Sequence, residues 1–288
     1  MGIGMRLMAV SGQFYPGKEA PLKQKIEEAA AIARQDEIAV RPVRALILPH
    51  AGYDYSAVTA VKGILSVDKS RIKRVVVLSP SHRHGFYGAA AGRYDGYWTP
   101  FDAVQCDMNA LDNLLDTPGS PVKNMPEAHQ DEHAIEVQLP LLQYFLNEFT
   151  LIPLVIGQNN LEQIRRIANA LAPFWGPETL WVISSDFTHF GRSFGYLPFT
   201  TDIRTGLRKL DMGAIDRILA LDTKGFYDYI RETGATICGH APIEILLALL
   251  DKHPGEVRAE LIDYTNTGEM FRDFSHSVSY AAISFSEV

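Results

Sequence analysis

Three apolar runs in this chain end alike. Leu46-Ile47-Leu48 meets Pro49-His50-Ala51-Gly52-Tyr53. Val75-Val76-Val77-Leu78 from Arg74 meets Ser79-Pro80-Ser81-His82, and Leu180-Trp181-Val182-Ile183-Ser184 runs on into Ser185-Asp186-Phe187-Thr188-His189. Short runs rich in β-branched residues, apolar throughout rather than alternating, predict strands buried on both faces of a parallel sheet. In open α/β sheets the carboxyl ends of such strands form one rim, and ligands bind there. The pattern therefore predicts three histidines on a common rim.

Between and beyond these runs the apolar spacing turns helical. Leu22, Ile26, Ala29, Ala30 and Ala33 predict a helix beginning near Pro21, closed by Arg41-Pro42. A second helix, Tyr55 to Ser66, joins the first two strands into a β-α-β unit. Gly85 to Pro100, with Phe86, Tyr87, Tyr94, Tyr97 and Trp98 among its glycines, predicts irregular strands or a loop near the rim. A short helix over Asp107 to Leu115 leads to a surface turn at Thr117-Pro118-Gly119-Ser120-Pro121. From Asp131, Ile135, Leu139 and Leu142 predict a helix that Pro140 should kink or divide. A strand over Leu151 to Ile156, an amphipathic helix over Leu161 to Phe174 and the Leu180 strand form a second β-α-β unit. Helix continues over Thr201 to Glu232 with a break near Asp222-Thr223, and again after Pro242. Val257 to Tyr264 and Ser277 to Phe285 predict a closing strand pair at one edge of the sheet. No repeat or low-complexity tract divides the chain. The expectation is one α/β domain over residues 1–288, a central mostly parallel sheet flanked by helices.

Composition narrows the classes. A net charge of −7 offers no basic footprint for phosphates, so nucleic acid is not an expected partner. No apolar stretch approaches the roughly 20 residues of a membrane span, and the start has neither a secretory signal nor a myristoylation motif. The two cysteines, Cys106 and Cys238, stand far apart and suit a reducing compartment, so the cytoplasm is the expected location.

The chemistry sits at the strand exits. His50 and His82, with a further donor, suit a first-row transition metal with open positions. Asp186 and His189 add a carboxylate and an imidazole, the latter able to move a proton near neutrality. Cys238, in Ile237-Cys238-Gly239-His240-Ala241-Pro242 just before a helix, has the setting of a cysteine with a lowered pKa, available as thiolate. Tyr53 is placed to line a pocket. His129-Gln130-Asp131-Glu132-His133 formally matches H-x-x-E-H, the inverted zinc-peptidase motif, which needs His129 and His133 on one helix; Pro126 and Asp131 argue for a helix beginning after His129, with Glu132 and His133 facing the rim instead. No P-loop, G-x-S-x-G or strand-linked G-x-G-x-x-G is present.

Together, Ala9-Val10-Ser11-Gly12-Gln13-Phe14-Tyr15-Pro16, Pro49-His50-Ala51-Gly52-Tyr53, Ser79-Pro80-Ser81-His82, Glu132-His133-Ala134-Ile135-Glu136, Ser184-Ser185-Asp186-Phe187-Thr188-His189-Phe190-Gly191, Ile237-Cys238-Gly239 and Ser277-Val278-Ser279-Tyr280-Ala281-Ala282 resemble the Memo family, in order and over nearly the whole chain. That family includes a eukaryotic cell-motility mediator and prokaryotic members called AmmeMemoRadiSam system protein B. The resemblance implies a fold similar to the class III extradiol dioxygenases, non-haem iron enzymes that open catechol rings. It implies His50, His82 and Cys238 as metal ligands, with Asp186 and His189 lining the same pocket and His189 in the acid–base position. Iron(II) or copper is the implied cofactor, with zinc a further candidate, and the substrate is an unidentified small molecule or peptide. The prokaryotic family name implies a functional link to radical SAM and AMMECR1-like proteins. The dioxygenases complete their iron site with a carboxylate where this chain has Cys238, and a thiolate favours softer metals, so ring cleavage does not follow from the fold. A non-catalytic peptide- or protein-binding module using the same cleft is the alternative.

Overall fold

The structure, a computed structural model, describes residues 2–287. Among the described residues twelve strands follow in chain order: β1 (Met5–Arg6), β2 (Val43–Leu48), β3 (Arg74–Pro80), β4 (Ala89–Ala91), β5 (Gly96–Tyr97) and β6 (Val104–Gln105). The others are β7 (Val122–Asn124), β8 (Thr150–Ile156), β9 (Thr179–Ser184), β10 (His189–Gly191), β11 (Val257–Asn266) and β12 (His276–Glu287). β1, β5 and β6 form a small sheet, and the rest join one nine-stranded sheet in the order β10-β12-β2-β9-β3-β8-β4-β7, with β11 on β12.

The sheet is mixed. Its centre, β2-β9-β3-β8, is parallel, whereas β4 joins β8 and β12 joins β2 antiparallel. Each central strand is buried along its length save for an end residue of β3 and β8, which is what an unbroken apolar run requires. β2 and β3 are parallel but not neighbours, because β9 lies between them. The three histidine-bearing exits are thus three consecutive strand ends, and no sequence spacing announces that order.

The helix Tyr53–Leu65 carries the chain from β2 over β9 to β3, and Leu161–Leu171 carries it back from β8 over β3 to β9. Right-handed crossovers running in opposite directions place their helices on opposite faces. Glu19–Ala33 packs beside the first helix, and His240–Leu250 beside the second and against β3 and β9. Ala241 through Leu250 are all buried, so this last helix is covered on every side and needs no polar stripe.

The structure shifts some expected boundaries. The helix expected from Asp131 is divided into His133–Glu136 and Gln138–Phe145 at Val137, not at Pro140. Pro140 falls in the first turn of the second piece, where its missing N–H costs nothing. The Thr201–Glu232 region is two helices, Ile203–Leu219 and Thr223–Thr233, and Asp222 caps the second by accepting from the Gly225 amide. The last helix starts at His240, two residues before Pro242. β11 and β12 pair antiparallel, and β12 also joins β2 and β10.

Candidate metal centre

β2, β9 and β3 deliver His50, Asp186 and His82 to one rim, and the turn before the His240–Leu250 helix brings Cys238 across to them. One ligand atom each from His50, His82 and Cys238 lies within 4.8 Å of the others, and a second such group joins His82 to Glu132 and His133. The imidazoles crowd together, with ring centroids 5.2 Å apart for His50 and His82, 4.6 Å for His82 and His133 and 5.4 Å for His50 and His133.

Neighbouring groups fix which nitrogen each ring presents. Ser184 Oγ donates to the Ala134 carbonyl at 2.6 Å, so it accepts from His50 Nδ1 at 2.9 Å and from Gln138 Nε2 at 2.9 Å. His50 therefore carries its proton on Nδ1 and turns the Nε2 lone pair inward. Glu132 Oε1 accepts from His82 Nδ1 at 2.8 Å and Oε2 from the His82 amide at 2.7 Å, which leaves His82 Nε2 free in the same way. A carboxylate or hydroxyl behind a ligating imidazole sets its tautomer and orientation. Burial, then the neighbouring His82, holds the His50 pKa well below its ordinary value. Burial likewise lowers His133 to about 3, with His50 and His82 adding to it. Both rings stay neutral, as metal ligands must. For Glu132, burial works to raise the pKa, but the hydrogen bonds and charge of His82 prevail and hold it at about 2.

His50 Nε2 stands 3.3 Å from Cys238 Sγ. Two donors bonded to one ion at ~2.0 and ~2.3 Å at a tetrahedral angle are roughly 3.5 Å apart, so the pair matches a nitrogen–sulfur edge of a coordination sphere. The donor set of two oriented imidazoles and a thiol fits a first-row transition metal. One expectation is reversed: burial pushes the Cys238 thiol well above its ordinary pKa, and the nearby Asp186 adds to this, outweighing the bonds from the Asp186 and Gly239 amides. The position before the helix does not by itself make a thiolate.

Asp186 is buried, and its Oδ1 accepts from the His50 amide at 2.8 Å. It thereby fixes the His50 backbone rather than the His189 ring. His189 donates from Nδ1 to the Thr236 carbonyl at 3.0 Å, and its amide donates to Thr236 Oγ1 at 2.9 Å, which leaves Nε2 as the ring's acceptor. Tyr53 does not line the cleft walled by His82 and Cys238: its hydroxyl donates to the Val137 carbonyl at 2.8 Å, its ring packs beside Tyr15, and it borders a separate small pocket with Phe14 and Lys25. His133 is flanked instead by Phe14, at 4.9 Å between centroids.

His129 lies outside the cluster. It lies in a separate short helix, Glu127–Gln130, where Nδ1 meets Tyr97 Oη at 2.7 Å and Nε2 the Ala90 carbonyl at 3.0 Å. With both nitrogens occupied and the chain broken at Asp131, His129 and His133 do not form the two-histidine face of an inverted zinc peptidase. Several contributors carried no signal of their own in the sequence. Ser184 reads there as the last residue of a strand, and Gln138 and Thr236 as ordinary polar positions. Glu136, completely buried, pairs with Arg6 and accepts from the Ala9 and Val10 amides and Tyr15 Oη, while Arg6 donates to the Glu132 carbonyl at 2.6 Å. This brace ties the amino-terminal segment to the Glu132–His133 turn.

Comparison with known proteins gives a consistent lineage. A family model described as Memo-like protein matches residues 6–284. A MEMO1 family protein of Thermoplasma volcanium is 32% identical over 280 residues, covering 97% of each chain, and one of Methanosarcina barkeri is 32% identical over 283 residues, covering 97% of this chain and 99% of its own. A solved structure of an uncharacterized protein from Escherichia coli K12 superposes with a TM-score of 0.54 at 13% identity, over 84% of this chain and 99% of that one, a likeness of fold alone.

Proposed function

The chain belongs to the Memo-like protein family, and from that premise we propose that it is a metal-binding protein that uses iron(II) or copper for redox chemistry on a small substrate. The observation that carries this reading is the convergence of His50, His82 and Cys238 within 4.8 Å, with both imidazole tautomers set by Ser184 and Glu132. Those three side chains would hold the metal, and zinc would also satisfy them. When bound, iron or copper would supply one-electron chemistry and a Lewis-acidic face. His189 keeps its proton on Nδ1 against the Thr236 carbonyl and offers Nε2 to take a proton from substrate. Asp186 and Glu132 are positioning residues, one through the His50 amide and the other through the His82 ring.

The substrate is a small molecule or peptide, and the working partners in prokaryotic relatives would be radical SAM and AMMECR1-like proteins, reached in the cytoplasm. No helix among the described residues is long and apolar enough to cross a membrane. Anaerobic purification, metal analysis and an oxygen-uptake screen test the reading in sequence. A single iron or copper per chain, lost in His50→Ala and Cys238→Ser, supports the centre, and substrate-dependent oxygen uptake makes it an enzyme. Metal binding without uptake across the screen moves the protein to the binding-module class. A chain that takes up neither metal overturns the proposal.

A further inference from the structure

Beside the candidate centre lies a cleft of about 530 Å³ in which His82 and Cys238 form one wall. It opens at the carboxyl ends of β3 and β8, and its remaining walls come from three places: Arg83 and His84, Gln158 and Asn159, and Arg231 with His240. The chain as a whole has 34 acidic residues against 27 Lys and Arg, yet the cleft lining contains two arginines and no Asp or Glu. That inversion of charge sits directly next to the two ligand residues.

We propose that this cleft receives a small anionic substrate, a carboxylate or a phosphate ester, whose charged end is held by Arg83 and Arg231 while its reacting end lies against the His82–Cys238 wall. Substrate class is thereby added to the metal-centre reading, on which the assignment of the reacting end rests. Arg83 is exposed at the lip, and the ion pairs of this region engage Arg231 and His240 but not Arg83. Arg231 meets the buried Glu244 Oε1 at 3.1 Å and the Tyr227 carbonyl at 2.8 Å, both through Nη1, so its other guanidinium nitrogens are left for a ligand. One carboxylate thus offsets part of the charge of Arg231, and the full charge of Arg83 remains. Planar guanidinium groups match carboxylate and phosphate oxygens in pairs. The helix His240–Leu250 also begins in the cleft lining, and its amino-terminal end adds the same sign of potential.

The test is calorimetric titration of the full chain with inorganic phosphate, benzoate and the neutral control benzyl alcohol, with and without supplied metal, at low salt. Benzoate or phosphate binds and benzyl alcohol does not; benzoate alone assigns a carboxylate, phosphate alone a phosphate ester. Arg83→Ala and Arg231→Gln each weaken the bound anion by about tenfold or more, the lower end of the range for one charge-assisted hydrogen bond. Arg231→Gln removes a partner of buried Glu244 and can unfold the helix pair, but Arg83→Ala, at an exposed position, tests the site without that risk. The inference is overturned if neither anion binds better than benzyl alcohol to a chain that does hold metal, or if Arg83→Ala leaves the anion affinity unchanged. Arg83-dependent anion binding by a chain that takes no metal would instead sink the metal-centre reading and leave the anion site in place.

Discussion

Glu132→Gln removes the charge behind His82 while preserving shape. Glu132 Oε1 accepts from His82 Nδ1 at 2.8 Å and the Ala134 amide at 3.0 Å, and Oε2 accepts from the His82 amide at 2.7 Å. Glutamine has one acceptor oxygen for these three donors. Its least costly orientation keeps the Oε1 pair and turns an NH2 group against the His82 amide, losing one charge-assisted bond and confronting two donors. Bonds to charged groups contribute about 1.5–3 kcal/mol, so folded stability should fall by about 2–4 kcal/mol. The imidazole also loses the carboxylate that fixes its tautomer and orientation, and changes of this kind typically weaken metal binding ~10–100-fold. Competition against a chromophoric chelator gives the affinity, and urea unfolding of the metal-free chain gives the stability. Metal affinity unchanged within about twofold in the variant would refute the assignment of Glu132 as the group that orients a ligating His82.

Three further perturbations probe the surroundings. Gly239→Ala places a Cβ 2.4 Å from Ser185 Cβ and 2.7 Å from the Ser184 carbonyl, so the Cys238 turn must move away from β9; metal affinity should drop at least about tenfold, and tight binding at the wild-type level would contradict the packing. His129→Phe leaves buried Tyr97 Oη without its partner and removes one bond to the Ala90 carbonyl, which should cost about 1–3 kcal/mol in urea unfolding yet leave metal stoichiometry intact, whereas a lost metal would return His129 to the ligand set. Asp211 is fully buried, accepting from Thr188 Oγ1 at 2.6 Å and Tyr264 Oη at 2.7 Å, and burial raises its pKa despite these bonds. A carboxyl raised on folding stabilises most below its unfolded pKa and loses that contribution as pH rises through the folded value. The stability of wild type minus that of Asp211→Asn should therefore decline with rising pH across the acid range, and a difference that instead grows would reverse the sign of the argument.

The strands were legible because each central one is a continuous apolar run, a pattern that only burial on both faces permits. Their order was not, since crossing over β9 rather than pairing directly leaves no mark on the helix Tyr53–Leu65 or its flanks. His50, His82 and Cys238 could be singled out from where they stand relative to strands and helix, but the tautomers depend on Ser184 and Glu132, which lie 134 and 50 residues away from the rings they hold. Tyr53 shows the converse: adjacency to His50 in sequence suggests a wall of the same cleft, while the first turn of the helix Tyr53–Leu65 swings its ring toward Tyr15 and the wall of a separate small pocket. The thiol of Cys238 illustrates a competition decided by magnitude, since a helix end acts through one turn of partial charge and burial acts on the whole ion. Arg83 and Arg231 are far apart in sequence and line one cleft only because the end of β3 and the Thr223–Thr233 helix meet there.

The most direct test of the centre is X-ray absorption at the edge of the metal bound by the anaerobically loaded chain, compared with Cys238→Ser. Nitrogen scatterers at about 2.0–2.1 Å and a sulfur shell at about 2.3 Å, the latter absent from the variant, are the expected result. A first shell of nitrogen and oxygen alone in the wild-type chain would contradict a centre built on His50, His82 and Cys238.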